Sequence, residues 1–548
     1  MKHRVLFYKF KFFCTIAIAT LLAAQPSSRA AGADGTVIRQ MYCEVAVIGG
    51  GAGGVGAAIE AARHGKHVIV FEKTVSLGGL ATNGYVPQIA GNVEGICLEF
   101  AKRMEELGYL KHQDKEDGEY HSPVFDPEMG KIVLEEMVQR AGARIMYDCT
   151  CFKTIMNEDG TRIERALFQT KGGYLSVRAD IFIDATGDAI LADMAGVPNE
   201  VGAQDFAGLN MSTTLGSRWS GADLIKYQEA EESYKREQRM LGRKTVSLVY
   251  DLESKAIAEG RLVRHVCNPF AGFFRVVLPG CTMTDADFVT FSFHSYYCHN
   301  TDPEDISRQI IEQHRLMRDF QSFLRSDVPG FEHVKLIGTG SQPGVRDSRR
   351  IFGEYMLTEE DVAIGRKFDD GIARFPNMFD THHPTSDEMV FVRHIHMDPA
   401  ADHGSGVTLQ RDEPAQMHPF FEPEGMQVRV NPRDWCEIPY RCLVPKKVDN
   451  LLAVGRCCST EFHANGAIRI IGPAMSTGQA AGLAAAMALE TGTRPRDIDG
   501  KLVRKRLIEE GVALDKAPGG YWKEVREQDG RIVITPSDAA KFVGQKKR

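Results

Sequence analysis

No Cys-x-x-Cys spacing occurs anywhere in the 548 residues. This excludes a zinc ribbon and a thioredoxin-like dithiol as readings of the twelve cysteines. Basic charge is not in excess either. Lys and Arg number 66 against 73 Asp and Glu, for a net charge of −7, whereas a nucleic-acid partner calls for a basic face. The Lys546-Lys547-Arg548 ending reads as a solvated terminus. No apolar run reaches the roughly 20 residues that cross a bilayer core. Internal repeats are absent, and so is low-complexity sequence beyond the N-terminal segment. What remains is ordinary globular composition, 43% hydrophobic and 25% charged, on a chain long enough for two or three domains.

The N-terminal segment has the layout of a secretory signal peptide over residues 1–33. Lys2, Arg4, Lys9 and Lys11 give a positive start, Cys14 to Ala24 an apolar stretch, and small residues follow through Ala33. Ser28-Arg29-Ala30 and Ala31-Gly32-Ala33 both offer cleavage sites; an uncleaved anchor is the alternative. No twin-arginine pair lies in the basic start, and no cysteine follows Leu22 to take a lipid. The expectation is export to a periplasmic or extracellular location, with no stable membrane span after removal of the signal. Cys14 would leave with the signal, and the odd eleven that remain cannot all pair. Cys149 with Cys151, and Cys457 with Cys458, read as packing residues.

Glu44 to Ile48 reads as a buried strand followed by Gly49, Gly51 and Gly54 in G-x-G-x-x-G spacing. An alanine-rich helix then runs to Gly65, and a second strand, Val68 to Phe71, ends at Glu72. The glycines do different things. Gly49 permits a tight turn, Gly51 allows approach to a pyrophosphate, and Gly54 allows close helix–strand packing. The pyrophosphate sits on free N–H groups at the helix start, and Glu72 is placed to accept ribose hydroxyls. These pieces in one register define a dinucleotide site, for FAD or NAD alike.

The continuation resembles FAD proteins. Lys73 to Leu77, then Gly78-Gly79 with Thr82, resembles the double-glycine extension of the glutathione-reductase-type fold. Ile181 to Asp184, followed by Ala185-Thr186-Gly187-Asp188, resembles that fold's second nucleotide-contact strand and turn. Leu451 to Val454 leads into Gly455-Arg456. Gly472 to Thr477 precede Gly478-Gln479-Ala480-Ala481-Gly482, the expected start of a helix aimed at the flavin, whose dipole favours negative charge there. Gly344 to Arg350, with Gly353-Glu354-Tyr355 and Leu357-Thr358, resembles a signature of the FAD-dependent oxidoreductase family, many of whose members are exported bacterial proteins. Ile438 to Arg441 and Leu443 to Pro445 resemble the stretch before its last FAD segment. The resemblance runs from about Cys43 to about Gly511.

It implies FAD as cofactor, with contacts at Gly49, Gly51, Ala52, Gly54, Glu72, Lys73, Gly79, Thr82, Thr186, Gly187, Asp188, Gly455, Arg456, Gly478, Gln479 and Ala480. Gly455-Arg456 departs from the Gly-Asp commoner among flavin reductases. No cysteine lies between Thr82 and Gly95, against disulfide-reductase chemistry. No second dinucleotide fingerprint is visible, because Pro343 and the arginines after it do not suit a phosphate-cradling helix start. NAD(P)H is therefore not the expected routine donor, and the electron acceptor is left unknown.

The expected fold class is α/β: a Rossmann-like glutathione-reductase-type FAD-binding domain built from discontinuous segments, with an inserted α+β substrate domain. Residues 34–201 and 433–512 form the FAD-binding parts, 202–432 the insert and 513–548 a tail. The site should lie where the insert faces the flavin. A small organic substrate giving hydride to flavin needs a base nearby. His463, eight residues after Gly455, either approaches the ring or fixes its loop. Arg346 and Arg349, with Arg350, either hold a carboxylate or join a surface network with Glu354, Glu359 and Glu360. His382 or His383 is expected at the substrate, His383 being the residue chosen. His394, His396 and His403 add density, but no fixed metal motif surrounds them and no metal is expected. The competing functions are an oxidase or dehydrogenase, a reductase fed by a partner, and a non-redox protein retaining structural FAD.

Overall fold

The computed structural model describes residues 29–31, 37–91, 93–112, 122–243, 246–267, 272–363, 366–376, 380–385, 389–390, 395–397, 407–409, 435–514, 525–528 and 531–534. His394 and His403, most of the signal segment and most of the tail lie outside them. Of residues 1–33 only Arg29–Ala31 is described, as a short strand antiparallel to the start of the first long strand.

That strand, β1 (Val37–Ile48), is longer than the apolar run that announces it. Its last four residues are fully apolar and buried, as expected of a central parallel strand covered on both faces. Helix α1 (Ala52–Arg63) follows, and Gly65, at φ +74°, turns the chain into β2 (Val68–Phe71). Helix α2 (Gly95–Glu106) and helix α3 (Pro127–Ala141) come next. The Asp126 side chain caps α3 by accepting from the N–H groups of Glu128 and Met129. Strands β3 (Arg144–Met146), β4 (Thr150–Met156), β5 (Ile163–Thr170) and β6 (Gly173–Asp184) complete a sheet of order β3-β2-β1-β6-β5-β4. Strands β3, β2, β1 and β6 are parallel, whereas β5 and β4 run antiparallel.

The insert has its own antiparallel sheet and core. Strand β7 (Ser217–Ala222), helices α4 (Leu224–Met240) and α5 (Leu248–Ala258), strands β8 (Val276–Val277) and β9 (Ala286–Thr290), helix α6 (Pro303–Asp327) and strand β10 (Lys335–Thr339) follow in order. The strands order β8-β9-β7-β10. On α6, Leu316, Met317, Phe320, Phe323 and Leu324 form one buried stripe at helical spacing, packed with Trp219, Phe288 and Phe293. This core ends near Leu336. Ile351, Leu357, Ile372 and Phe375, expected in the insert, instead pack in the cores of the larger sheet. They are apolar, and the insert's aromatic core is already closed without them.

The chain then returns to the large sheet. Strand β11 (Leu451–Ala453) pairs with the second half of β6, while the first half pairs with β5. Ile48, Phe71, Asp184 and Ala453 are therefore level, so the carboxyl ends of β1, β2, β6 and β11 open on one edge. After α7 (Phe462–Ile468), helix α8 (Ile471–Thr491) crosses α1 at backbone contact distance. A Cβ on Gly478 would lie 1.9 Å from Gly53 O, one on Gly56 2.3 Å from Met475 O, and one on Gly482 2.4 Å from Ala57 O. Among the described residues, no helix is long and apolar enough to cross a membrane.

Gly478→Ala should therefore cost roughly 3 kcal/mol by forcing the two helices apart. Thermal unfolding of the purified protein checks this; an unchanged Tm would mean that the crossing yields easily.

Candidate functional site

The carboxyl edge of the large sheet opens into a cleft, and ligands of open α/β sheets bind at that edge. Ten of the sixteen expected cofactor residues line it: Gly49, Gly51, Ala52, Glu72, Lys73, Gly79, Thr186, Gly187, Gly455 and Arg456. Gly49 sits at φ +100°, and a Cβ there would lie 2.6 Å from Ala185 O. At Gly51 a Cβ would meet nothing closer than Ala185 O at 4.0 Å, so this glycine leaves open space instead of filling a contact. Helices α1 and α8 both begin at the cleft, and neither has a side-chain cap on its first turn. The N–H groups that open α1 are therefore available to phosphate, whereas at the start of α8 Gly472 N–H donates to Ala90 O and Pro473 has no N–H, which leaves Ile471 N–H to face a ligand. Arg456 lines the cleft, and its Nε is buried with no hydrogen-bond partner among the described residues. These features fit FAD.

Glu72 holds the glycine turn together. Gly50 N–H donates to one carboxylate oxygen at 2.6 Å and Thr74 N–H to the other at 2.8 Å. Each oxygen keeps a lone pair for a ribose hydroxyl. Asp188 accepts from Arg456 and from Ser348, both at 2.6 Å. Burial pushes its carboxyl up, but Arg456, Ser348 and Lys73 outweigh this and hold it below the usual range. The Thr186 hydroxyl donates to Asp184 at 2.7 Å and fixes the turn that presents Gly187.

Five of the remaining expected contacts lie off the cleft wall and have other work. Gly54 packs its helix on the glycine turn: a Cβ there would be 1.9 Å from Gly49 O. The Thr82 hydroxyl is buried and donates to Leu77 O at 2.6 Å. Helix α8 begins at Ile471, seven residues before the glycine motif that was expected to open it, so Ile471 and Ala474 reach the cleft instead. Gly478 and Ala480 are buried in packing, and Gln479 joins Ile96 N–H to Glu60. Burial pushes Glu60 up to about 8, reinforced by a hydrogen bond with Glu510. Cys149 and Cys151 line the cleft, with thiols raised by burial to about 11 and about 12; Cys457 and Cys458 are buried and unpaired. None of the four is poised as a thiolate.

The arginine motif splits. Arg346 enters a buried polar cluster, whereas Arg349 pairs with Asp193 at 3.4 Å. Arg350 is saturated by Glu200, Asp347, Gly202 O and Thr460 O. The surface network expected with Glu354, Glu359 and Glu360 does not take up these three side chains. Among the histidines, His382 enters the cluster and His383 faces away. Thr385 N–H donates to His383 Nδ1 at 3.1 Å, and the ring meets Phe206 edge-on. The strand ends at His382, so His383 sits where the chain leaves it. His463 is also off the cleft wall; its Nε2 lies 3.9 Å from Glu359.

The cluster contains three residues that the sequence did not single out: His294, Asp380 and Arg469. Arg469 also lines the cleft and donates to Asp380 Oδ2 at 2.8 Å. His382 Nε2 is 3.3 Å from Asp380 Oδ1, and the His294 and His382 rings are 5.4 Å apart. Ser212 Oγ is 3.2 Å from His294 Nδ1, and Ser212 O accepts from Arg346 at 2.6 Å. Burial, then Arg346, pushes His382 down to about 4 despite Asp380. Burial, then Arg346 and His382, holds His294 well below its ordinary value. Burial and Arg469 lower Arg346 to about 9. Burial raises Asp380, but Arg469, His382 and Arg346 prevail and hold it well below the carboxylate range.

A parallel sheet with a glycine cradle at its carboxyl edge and two uncapped helix starts defines a dinucleotide-binding protein. The family model of the FAD dependent oxidoreductases matches residues 44–507, and the chain belongs to that family, with FAD as its cofactor. No match was found among curated proteins. Among solved structures, a geranylgeranyl bacteriochlorophyll reductase-like protein from Thermoplasma acidophilum is 13% identical, with 86% of this chain and 84% of that one covered at a TM-score of 0.39. The flavin-dependent brominase Bmp2 is 12% identical, covering 86% and 83% at 0.38. Aklavinone-11 hydroxylase, solved with FAD and aklavinone, is 13% identical, covering 56% and 54% at 0.31. The assignment rests on the family match and the cleft, not on these likenesses.

Arg456→Met should weaken FAD binding about 30-fold, the loss of a hydrogen bond from a charged donor. Fluorescence titration of the apoprotein with FAD measures it. Unchanged affinity would mean that Arg456 serves Asp188 alone.

Proposed function

We propose that this FAD-dependent oxidoreductase is a dehydrogenase or oxidase of a small organic substrate, with His382 as the proton acceptor. The observation that carries this reading is the double position of Arg469, at once a wall of the FAD cleft and a member of the Asp380–His382 cluster. Bound FAD supplies a two-electron acceptor. The chain supplies the rest. Asp380 accepts from His382 Nε2–H, which leaves Nδ1 with its lone pair free for a substrate proton. Burial, with Arg346 and Arg469 beside the pair, disfavours a charged ring, so His382 rests neutral. Among the histidines expected at the reaction, this favours His382 over His383 and His463. The basic start and apolar stretch of residues 1–33 support export, with FAD bound outside the cytoplasm.

Anaerobic addition of donors to the FAD-loaded protein tests the reading by bleaching of the flavin band. His382→Ala should slow bleaching by about 10²- to 10⁴-fold while FAD stays bound. If no donor bleaches the flavin, but a specific acceptor reoxidises it after chemical reduction, the protein is a reductase instead.

The pH profile follows from the sign of the shift. His382 is depressed, so its neutral form persists until pH falls to about 4. Bleaching should stay level from pH 8 to 5 and decline only through about 4. An unperturbed histidine would lose activity near about 6.5, and a limb there would remove His382 as the base.

A further inference from the structure

The polar cluster holds more positive charge than it neutralises. Asp380 is committed to Arg469 at 2.8 Å and to His382 at 3.3 Å. Arg346 is 8% exposed. Its one hydrogen bond goes to a backbone carbonyl, Ser212 O, and among the described residues no carboxylate lies within ion-pair reach of it. A guanidinium carries five N–H donors. Taking it out of water without a counter-charge costs several kcal/mol. The neutral rings of His294 and His382 do not supply that charge, and Arg346 is not among the residues on the wall of the FAD cleft. Arg469, although paired with Asp380, keeps a buried Nε with no partner among the described residues.

An anion small enough to sit between Arg346 and His382 would supply the charge that the described residues do not. A planar carboxylate matches the guanidinium fork, with two parallel N–H donors to two oxygens. A neutral sugar or a cationic amine would leave Arg346 uncompensated. Resting on the dehydrogenase or oxidase reading, we infer that the substrate is a small organic acid whose carboxylate is held by Arg346 and Arg469. The oxidisable carbon then lies next to that carboxylate, within reach of His382, as in a 2-hydroxy acid.

Matched acid and amide probes test this on the FAD-loaded protein: glycolate and malonate against glycolamide and malonamide, with inorganic phosphate as a third arm. Binding is read without turnover, by calorimetry and by perturbation of the flavin spectrum under anaerobic conditions. The acids should bind at least about 100-fold more tightly than their amides, and Arg346→Gln should remove that difference while Arg346→Lys restores part of it. If Arg346→Gln does not retain FAD, the acid–amide ratio of the unaltered protein decides alone. Equal binding of acid and amide, or tighter binding of phosphate than of any carboxylate, overturns the inference. If a neutral donor bleaches the flavin while the acids do not bind, this inference fails and the oxidoreductase reading stands. Failure of every donor to bleach bound flavin would instead strike the reading on which it rests.

Discussion

The crossing of two glycine-bearing helices is the constraint on which the site depends. Where α8 meets α1, Gly478 lies against Gly53 and Gly482 against Ala57, with no volume for a side chain. That proximity brings the start of a C-terminal helix to the same cleft as the start of the N-terminal one, across more than four hundred residues of sequence. The open N–H groups of α1 and the first N–H of α8 then converge, and the dipoles of both helices act on one ligand. The level strand ends beneath them follow from β6, which serves β1 along one edge and divides the other between β5 and β11.

The segment from Arg346 to Arg350 fastens the second half of the site to this frame. Consecutive side chains engage different parts of the chain. Arg346 reaches Ser212 O, Asp347 takes Asn210 and the Met211 N–H, Ser348 donates to Asp188, Arg349 faces Asp193, and Arg350 reaches Glu200 and Thr460 O. Asp347 is fully buried yet fully engaged, the condition under which a buried carboxylate is tolerated. Arg346 alone departs from that rule.

Local chemistry made the first half of the site legible in the sequence. Gly49, Gly51, Gly54 and Glu72 act within about 25 residues of one another, and their spacing follows from the geometry of one strand, one turn and one helix. Gly455-Arg456 was readable because a buried strand precedes it. The start of α8 was misplaced because Gly478 looks like a helix opening, whereas its glycine serves the crossing. The polar cluster was only half visible. Arg346 and His382 stood out as members of dense runs, but the choice between His382 and His383 depends on tertiary partners on either side of the point where a short strand ends at His382. The division of labour among Arg346, Arg349 and Arg350 depends on tertiary partners. His294, Asp380 and Arg469 come from three distant segments without a shared local pattern. The run Asp380-Thr381-His382, with acid and histidine two apart, was the one signal that could have pointed to them.

Ser348 has a consequence for how the two halves communicate. It grips Asp188, the partner of Arg456 at the flavin cleft, and it lies two residues from Arg346 in the polar cluster. A molecule that pulls on Arg346 therefore also moves the support of Arg456. By linkage, whatever factor such a molecule imposes on cofactor affinity, the cofactor imposes on it in return. Occupancy of the polar cluster would then be a thermodynamic variable of the flavin cleft, and the reverse.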